Sequence, residues 1–273
     1  MSWDMRQQPK PGEEWSDLEA ARYNITVKPQ SLAEFFGVQI LPDIPQSVED
    51  ICAVEDKEAA TDDATYNTLH LMQLAQESAE GTHMAVDCFI AHLLQRMGFV
   101  EGRRLVLMGY PWQFDMVGRN THAFTDVCLV DEKILPILLV RTDKRGCRLP
   151  GQTHILEMPL VAAAIAAFRE TNDARHLRPR LDKITFPAII MEFGTLPMFY
   201  KICISQQFWE VVSLSRTDLT TSMTVYCHYP QVDFRHLADG MMRLETRREL
   251  LRYMEAFRQL IMSGEMNAMF GCL

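Results

Sequence analysis

Thr125-Asp126-Val127-Cys128-Leu129-Val130-Asp131 and Leu138-Leu139-Val140-Arg141-Thr142-Asp143-Lys144 are the two stretches on which the folding of this chain turns. Each is a short apolar run closed by charged residues, the length and bounds of a buried strand. Residues 137–140 offer no polar face, as a central strand covered by helices should not. A strand over 124–131, a short turn and a strand within 134–144 bring Asp126 next to the polar end of the second strand. Side chains two apart on a strand share a face, so position 142 and Lys144 point the same way.

Outward from this pair the pattern continues. Upstream, Arg104 to Met108 reads as a further strand. Before it, Met84, Val86, Phe89, Ile90, Leu93, Leu94 and Met97 recur at helical spacing, with Gly98 as the stop. Downstream, Leu160 to Phe168 is Ala-rich and helical. Ile184 to Phe193 and Met198 to Ile204 read as strands joined through Gly194 and Pro197, and Met223 to Tyr229 as another strand. Leu250, Tyr253, Met254, Phe257, Leu260 and Ile261 mark a closing amphipathic helix. Helix, three strands, helix, strands, helix is an α/β order with a mixed sheet. Residues 1–64 are acidic and Pro-containing, and are expected to form an N-terminal arm with short helices such as Leu32 to Phe36, pinned by Trp3 and Trp15. Residues 65–273 make the domain proper.

The bulk chemistry narrows the function. With 48% apolar residues the chain supports a large core, and no apolar run approaches a bilayer span. Seven scattered cysteines with no CxxC suit buried thiols in a reducing, intracellular compartment, cytoplasmic or nuclear, and the opening residues lack an apolar export signal. A net charge of −9 opposes indiscriminate nucleic-acid binding, which rests on neutralising phosphates, so any such role needs a local basic cluster. Two exist: Arg141, Lys144, Arg145 and Arg148, and the loop set Arg175, His176, Arg178, Arg180 and Lys183. A solvated loop is the plain alternative for each. Tyr110 and Trp112 are either a stacking platform or core, and the Met-rich tail (Met262, Met266, Met269, Phe270) either binds a partner or docks back. No GxSxG elbow, HExxH helix, P-loop or GxGxxG turn occurs.

The Asp126 strand followed by Arg141-Thr142-Asp143-Lys144 resembles the Asp…(Asp/Glu)-x-Lys core of the PD-(D/E)XK nuclease superfamily. More narrowly, the series is similar to a group of uncharacterised fungal proteins of that kind. There an Ala-rich helix, a Gly-x-x-Pro-x-Phe-Tyr-Lys strand pair and a Gly-Met-Arg-type helix follow, matched here by residues 161–168, Gly194 to Lys201 and Gly240 to Leu244. The resemblance spans about residues 66–262 and implies a restriction-endonuclease-like core. It implies a site at Asp126, Thr142, Asp143 and Lys144, with Mg held through Asp126 and Asp143 if the protein is active, and Arg141, Arg145 and Arg148 near phosphates. Glu80 is a candidate for an added helix acid, with a solvated helix-cap residue as the plainer reading. Two positions depart from the pattern: the acid two before the lysine is Thr142, and the Gln that opens the next helix falls at Pro159. Asp143, next to Thr142 on an alternating strand, replaces that acid only if a bulge turns it inward. The expectation is therefore a nuclease-like domain with a degenerate metal site, serving as a nucleic-acid or protein binding module with weak or no catalysis. An active Mg-dependent nuclease using Asp126, Asp143 and Lys144, or a small-molecule enzyme or accessory protein reusing the cleft, are the alternatives.

Overall fold

Local chemistry sets where the elements begin and stop. Ser31 opens α2 (Leu32–Phe36) with a capping box: its hydroxyl accepts the Glu34 N–H at 3.4 Å while Glu34 accepts the Ser31 N–H at 2.9 Å. Asp62 opens α3 (Asp63–Gln76) by accepting the Thr65 N–H at 2.9 Å. Gly98, at φ 78°, follows α4 (Met84–Arg96) in the left-handed conformation that favours glycine. The chain is seen here in a computed structural model, which describes residues 9–77, 84–143, 154–176, 178–214 and 221–263.

The other α-helices and the strands are α1 (Asp17–Arg22), β1 (Ile25–Pro29), β2 (Leu105–Met116), β3 (Arg119–Val130), β4 (Pro136–Thr142), α5 (His154–Asp173), β5 (Lys183–Glu192), β6 (Leu196–Ser205), α6 (Gln206–Leu214), β7 (Met223–His228) and α7 (Leu244–Met262). The strands form one seven-stranded mixed sheet in the order β1-β7-β6-β5-β4-β3-β2. β2, β3 and β4 are an antiparallel meander, β4 and β5 run parallel, β5 and β6 and then β6 and β7 are antiparallel, and β1 adds in parallel beside β7. The parallel step needs a long crossover, and α5 lies within it. The Ala-rich stretch of α5 is buried throughout residues 160–167, because small side chains let the helix press against β2, β3, β4, β5 and β6. The expected α/β fold with a central mixed sheet flanked by helices is what the chain adopts.

Several elements run beyond their expected bounds. β2 and β3 extend through a tight hairpin at Val117 and Gly118, both at positive φ (57° and 68°), and α5 begins at His154 and carries Pro159 inside it. The lead segment contributes more than short helices. β1 extends the sheet, and Trp15, Phe35, Phe36, Leu41, Val48 and Ile51 join the same hydrophobic core as the strands. Phe35 and Phe36 sit in an aromatic cluster with Phe199, His228, Tyr253 and Phe257. Of the cysteines, Cys52, Cys88, Cys128, Cys203 and Cys227 are free, the first, third and fifth buried. Among the described residues no helix is long and apolar enough to cross a membrane. The tail residues Met266, Met269 and Phe270 lie outside the described residues.

Candidate functional site

Asp126 occupies the point where regular strand pairing fails on both sides. Toward β2 the register passes from Met108↔Val127 to Tyr110↔Thr125 without pairing the residue between, and Gly109 opposite has φ 62°. Toward β4 the ladder begins at Val127↔Val140 and continues away from Asp126. The buried Asp126 carboxylate fills the gap: its Oδ2 accepts the Thr142 N–H at 2.9 Å, in place of a β3 carbonyl. Arg141 completes the substitution, donating from Nη1 to the Phe124 carbonyl at 2.8 Å while its Nε lies 3.3 Å from Asp126 Oδ2. That last contact is an ion pair without hydrogen-bond geometry, since Arg141 Nε makes no hydrogen bond among the described residues. The pair is buried at both ends, where solvent screens it little.

Thr142 is the hub of the site. While its N–H goes to Asp126, its hydroxyl donates to Asp87 Oδ1 at 2.7 Å, so a carboxylate on α4 and one on β3 both bind a single buried threonine. Asp87 is absent from the sequence-based expectation, whose candidate helix acid is Glu80. The missed signal was local: within the apolar stripe of α4, Asp87 follows the buried Val86 and precedes the buried Phe89, and it is the only acid between Met84 and Arg96. Asp143 ends the strand, its N–H donating to the Met191 carbonyl at 2.9 Å, which continues the β4–β5 ladder. Lys144, Arg145, Arg148 and Glu80 lie outside the described residues.

The surrounding groups are structural. Trp112 is fully buried and donates from Nε1 to Thr125 Oγ1 at 3.0 Å, with the Tyr110 ring 4.4 Å away, so Trp112 packs the sheet and offers no face to a ligand. Burial pushes the Tyr110 phenol up, and pushes the Cys128 thiol up to about 11, which removes it as a nucleophile near neutral pH. The motif residues around Lys201 are also accounted for by packing. Phe199 enters the aromatic cluster, Tyr200 donates to the buried Glu157 at 3.2 Å, and Lys201 donates to the Phe35 carbonyl and lies over the Phe35 ring. Burial raises the Tyr200 phenol well above its ordinary value, so it acts as a fixed donor.

Among the described residues, no group of three or more His, Cys, Asp or Glu side chains is arranged to hold a metal ion. The second basic set gathers around a cleft at the far end of α5, lined by Asn172, Asp173, Arg175, His176, Arg178 and Arg180. Lys183 lies on β5 and does not line it. No family model matches the chain, and no curated protein is significantly similar to it.

Proposed function

We propose that this is a PD-(D/E)XK nuclease-like domain whose metal site has lost its capacity for efficient catalysis, and that it works as a binding module for nucleic acid. The observation that carries the reading is the use made of Asp126. Its carboxylate replaces a backbone acceptor for Thr142 and pairs with the Arg141 guanidinium, so a cation of the protein's own stands beside the group that would receive a divalent ion. A hard cation such as Mg2+ is held through one or two carboxylates with waters and substrate phosphates. Asp126 and Asp87 are two such carboxylates, but each is already an acceptor for Thr142, and position 142 offers a neutral hydroxyl where the resemblance expects an acid. The order of helix, three-strand meander, helix and strand pair supports the restriction-endonuclease-like reading of the frame.

Titration calorimetry with Mn2+ tests the metal half. The wild-type chain should bind in the millimolar range or more weakly, and Thr142→Glu should tighten binding by restoring the acid. Tight Mn2+ binding by the wild type that vanishes in Asp126→Asn, with cleavage of DNA or RNA, overturns the degenerate reading. That outcome has one feature in its favour, the convergence of Asp87 and Asp126 on Thr142, and it would establish an active nuclease. Fluorescence anisotropy with labelled single- and double-stranded oligonucleotides tests the binding half, and absence of binding to both at low salt removes it.

A further inference from the structure

The chain is acidic, yet one concavity on it is not. Beyond the C-terminal end of α5 the backbone doubles back, closed by the buried Asn172, whose Oδ1 accepts the Leu181 N–H at 2.7 Å and whose Nδ2 donates to the Leu181 carbonyl at 3.3 Å. Inside this return, Arg175 Nε donates to the Pro179 carbonyl at 2.9 Å. Arg180 is fixed twice, by Asp173 at 3.1 Å and over the Trp209 ring at 5.9 Å. Asp173 is shared with Arg169 at 3.3 Å, so one carboxylate serves two guanidinium groups. The result is a cleft of about 350 Å³ lined by three arginines, one histidine, one asparagine and one aspartate.

Basic residues near a helix C-terminus commonly answer its partial negative charge, but that effect fades within the last turn. Arg175, Arg178 and Arg180 lie past the helix end and line a hollow instead. Their planar forks match a phosphate, which takes paired N–H donors from arginine more favourably than from lysine. A volume of about 350 Å³ is at the small end of ligand sites, with room for a phosphate carrying a modest organic group or a nucleotide backbone unit.

We infer that this cleft is a phosphate oxyanion site, gripped chiefly by Arg175 and Arg178 and braced by Arg180 on Trp209. It lies at the C-terminal end of α5, about 30 Å from the first turn of that 20-residue helix, and does not depend on the Asp126 chemistry. Calorimetry with inorganic phosphate at low ionic strength, on the full chain, is the test. Saturable binding is expected, weakened at least about tenfold in Arg175→Gln/Arg178→Gln and unchanged in the exposed Arg235→Gln. Circular dichroism verifies folding of the double variant; should it unfold, the exposed Arg178→Gln alone carries the same comparison. Competition by a short DNA duplex assigns the phosphate to a nucleic-acid backbone, and phosphate binding undisturbed by the duplex assigns it to a free phosphorylated compound. No saturable phosphate binding, or equal binding by wild type and variant, overturns the site.

Discussion

Arg247 is fully buried, and its five N–H groups meet five backbone carbonyls: Met241 and Met242 beside its own helix, and Ile51, Val54 and Glu55 of the lead segment. A guanidinium has five donors and an ammonium only three, so lysine does not replace it. Arg247→Met should cost at least about 3 kcal/mol through the stranded carbonyls, read from urea denaturation; a loss under about 1 kcal/mol would show that water satisfies them. His228 and His92 are the second case. Burial lowers both below the ordinary value of 6.5, while His228 Nδ1 binds the Gln30 carbonyl at 2.9 Å and His92 Nε2 binds Thr68 Oγ1 at 2.8 Å. A histidine with a lowered folded value takes up its proton more readily when unfolded. Its contribution is therefore complete above about 6.5 and is lost as pH falls below that. Stability should fall between about pH 7 and about pH 5, before carboxylates titrate, and His92→Gln/His228→Gln should flatten that slope. An unchanged slope in the double variant assigns the effect elsewhere.

At the scale of elements, the β5–β6 hairpin is a tight junction. Phe193 and Gly194 turn it at φ 46° and 77°, and a Cβ on Gly194 would stand 2.2 Å from the Ala75 carbonyl oxygen at the end of α3. Thr195, next in line, donates to Gln76 Oε1 at 2.8 Å and accepts the Met241 N–H at 2.9 Å, and Gly240 leaves no room for a Cβ against Thr195. Strands, α3 and the segment leading into α7 thus meet at one turn. Gly118 makes the matching comparison: it also has a positive φ, at 68°, but faces open space. Gly118→Ala should cost about 1 kcal/mol and Gly194→Ala at least about 2 kcal/mol more, because only the second adds a backbone collision to the strain. Equal losses measured by thermal melting would mean that α3 yields. The glycine of each quoted motif, Gly194 and Gly240, is thus explained by this junction, which makes those segments builders of the frame and not parts of the Asp126 site.

For the whole molecule, the lead segment is structural. It supplies β1 to the sheet edge, Trp15 and Phe35 to the core, and the carbonyls that hold Arg247. A chain beginning at residue 65 should lose cooperative thermal unfolding; a sharp melt near that of the full chain would show that the lead is dispensable. Much of this architecture was legible in sequence, because periodicity is a local property: the apolar run at 137–140, the α4 stripe ending at Gly98 and the Ala-rich α5 each declare an element within a dozen residues. The sequence alone also determined that Thr142 stands where the resemblance places an acid. What only the tertiary structure decided was pairing between segments far apart in the chain. That Asp87 reaches Thr142 across 55 residues, that Asp126 stands in for a backbone acceptor and meets Arg141, and that Ile25 to Pro29 finds an edge nearly 200 residues away are outcomes of packing. No local pattern encodes them, since hydrogen-bond partners are chosen by which groups burial leaves facing one another.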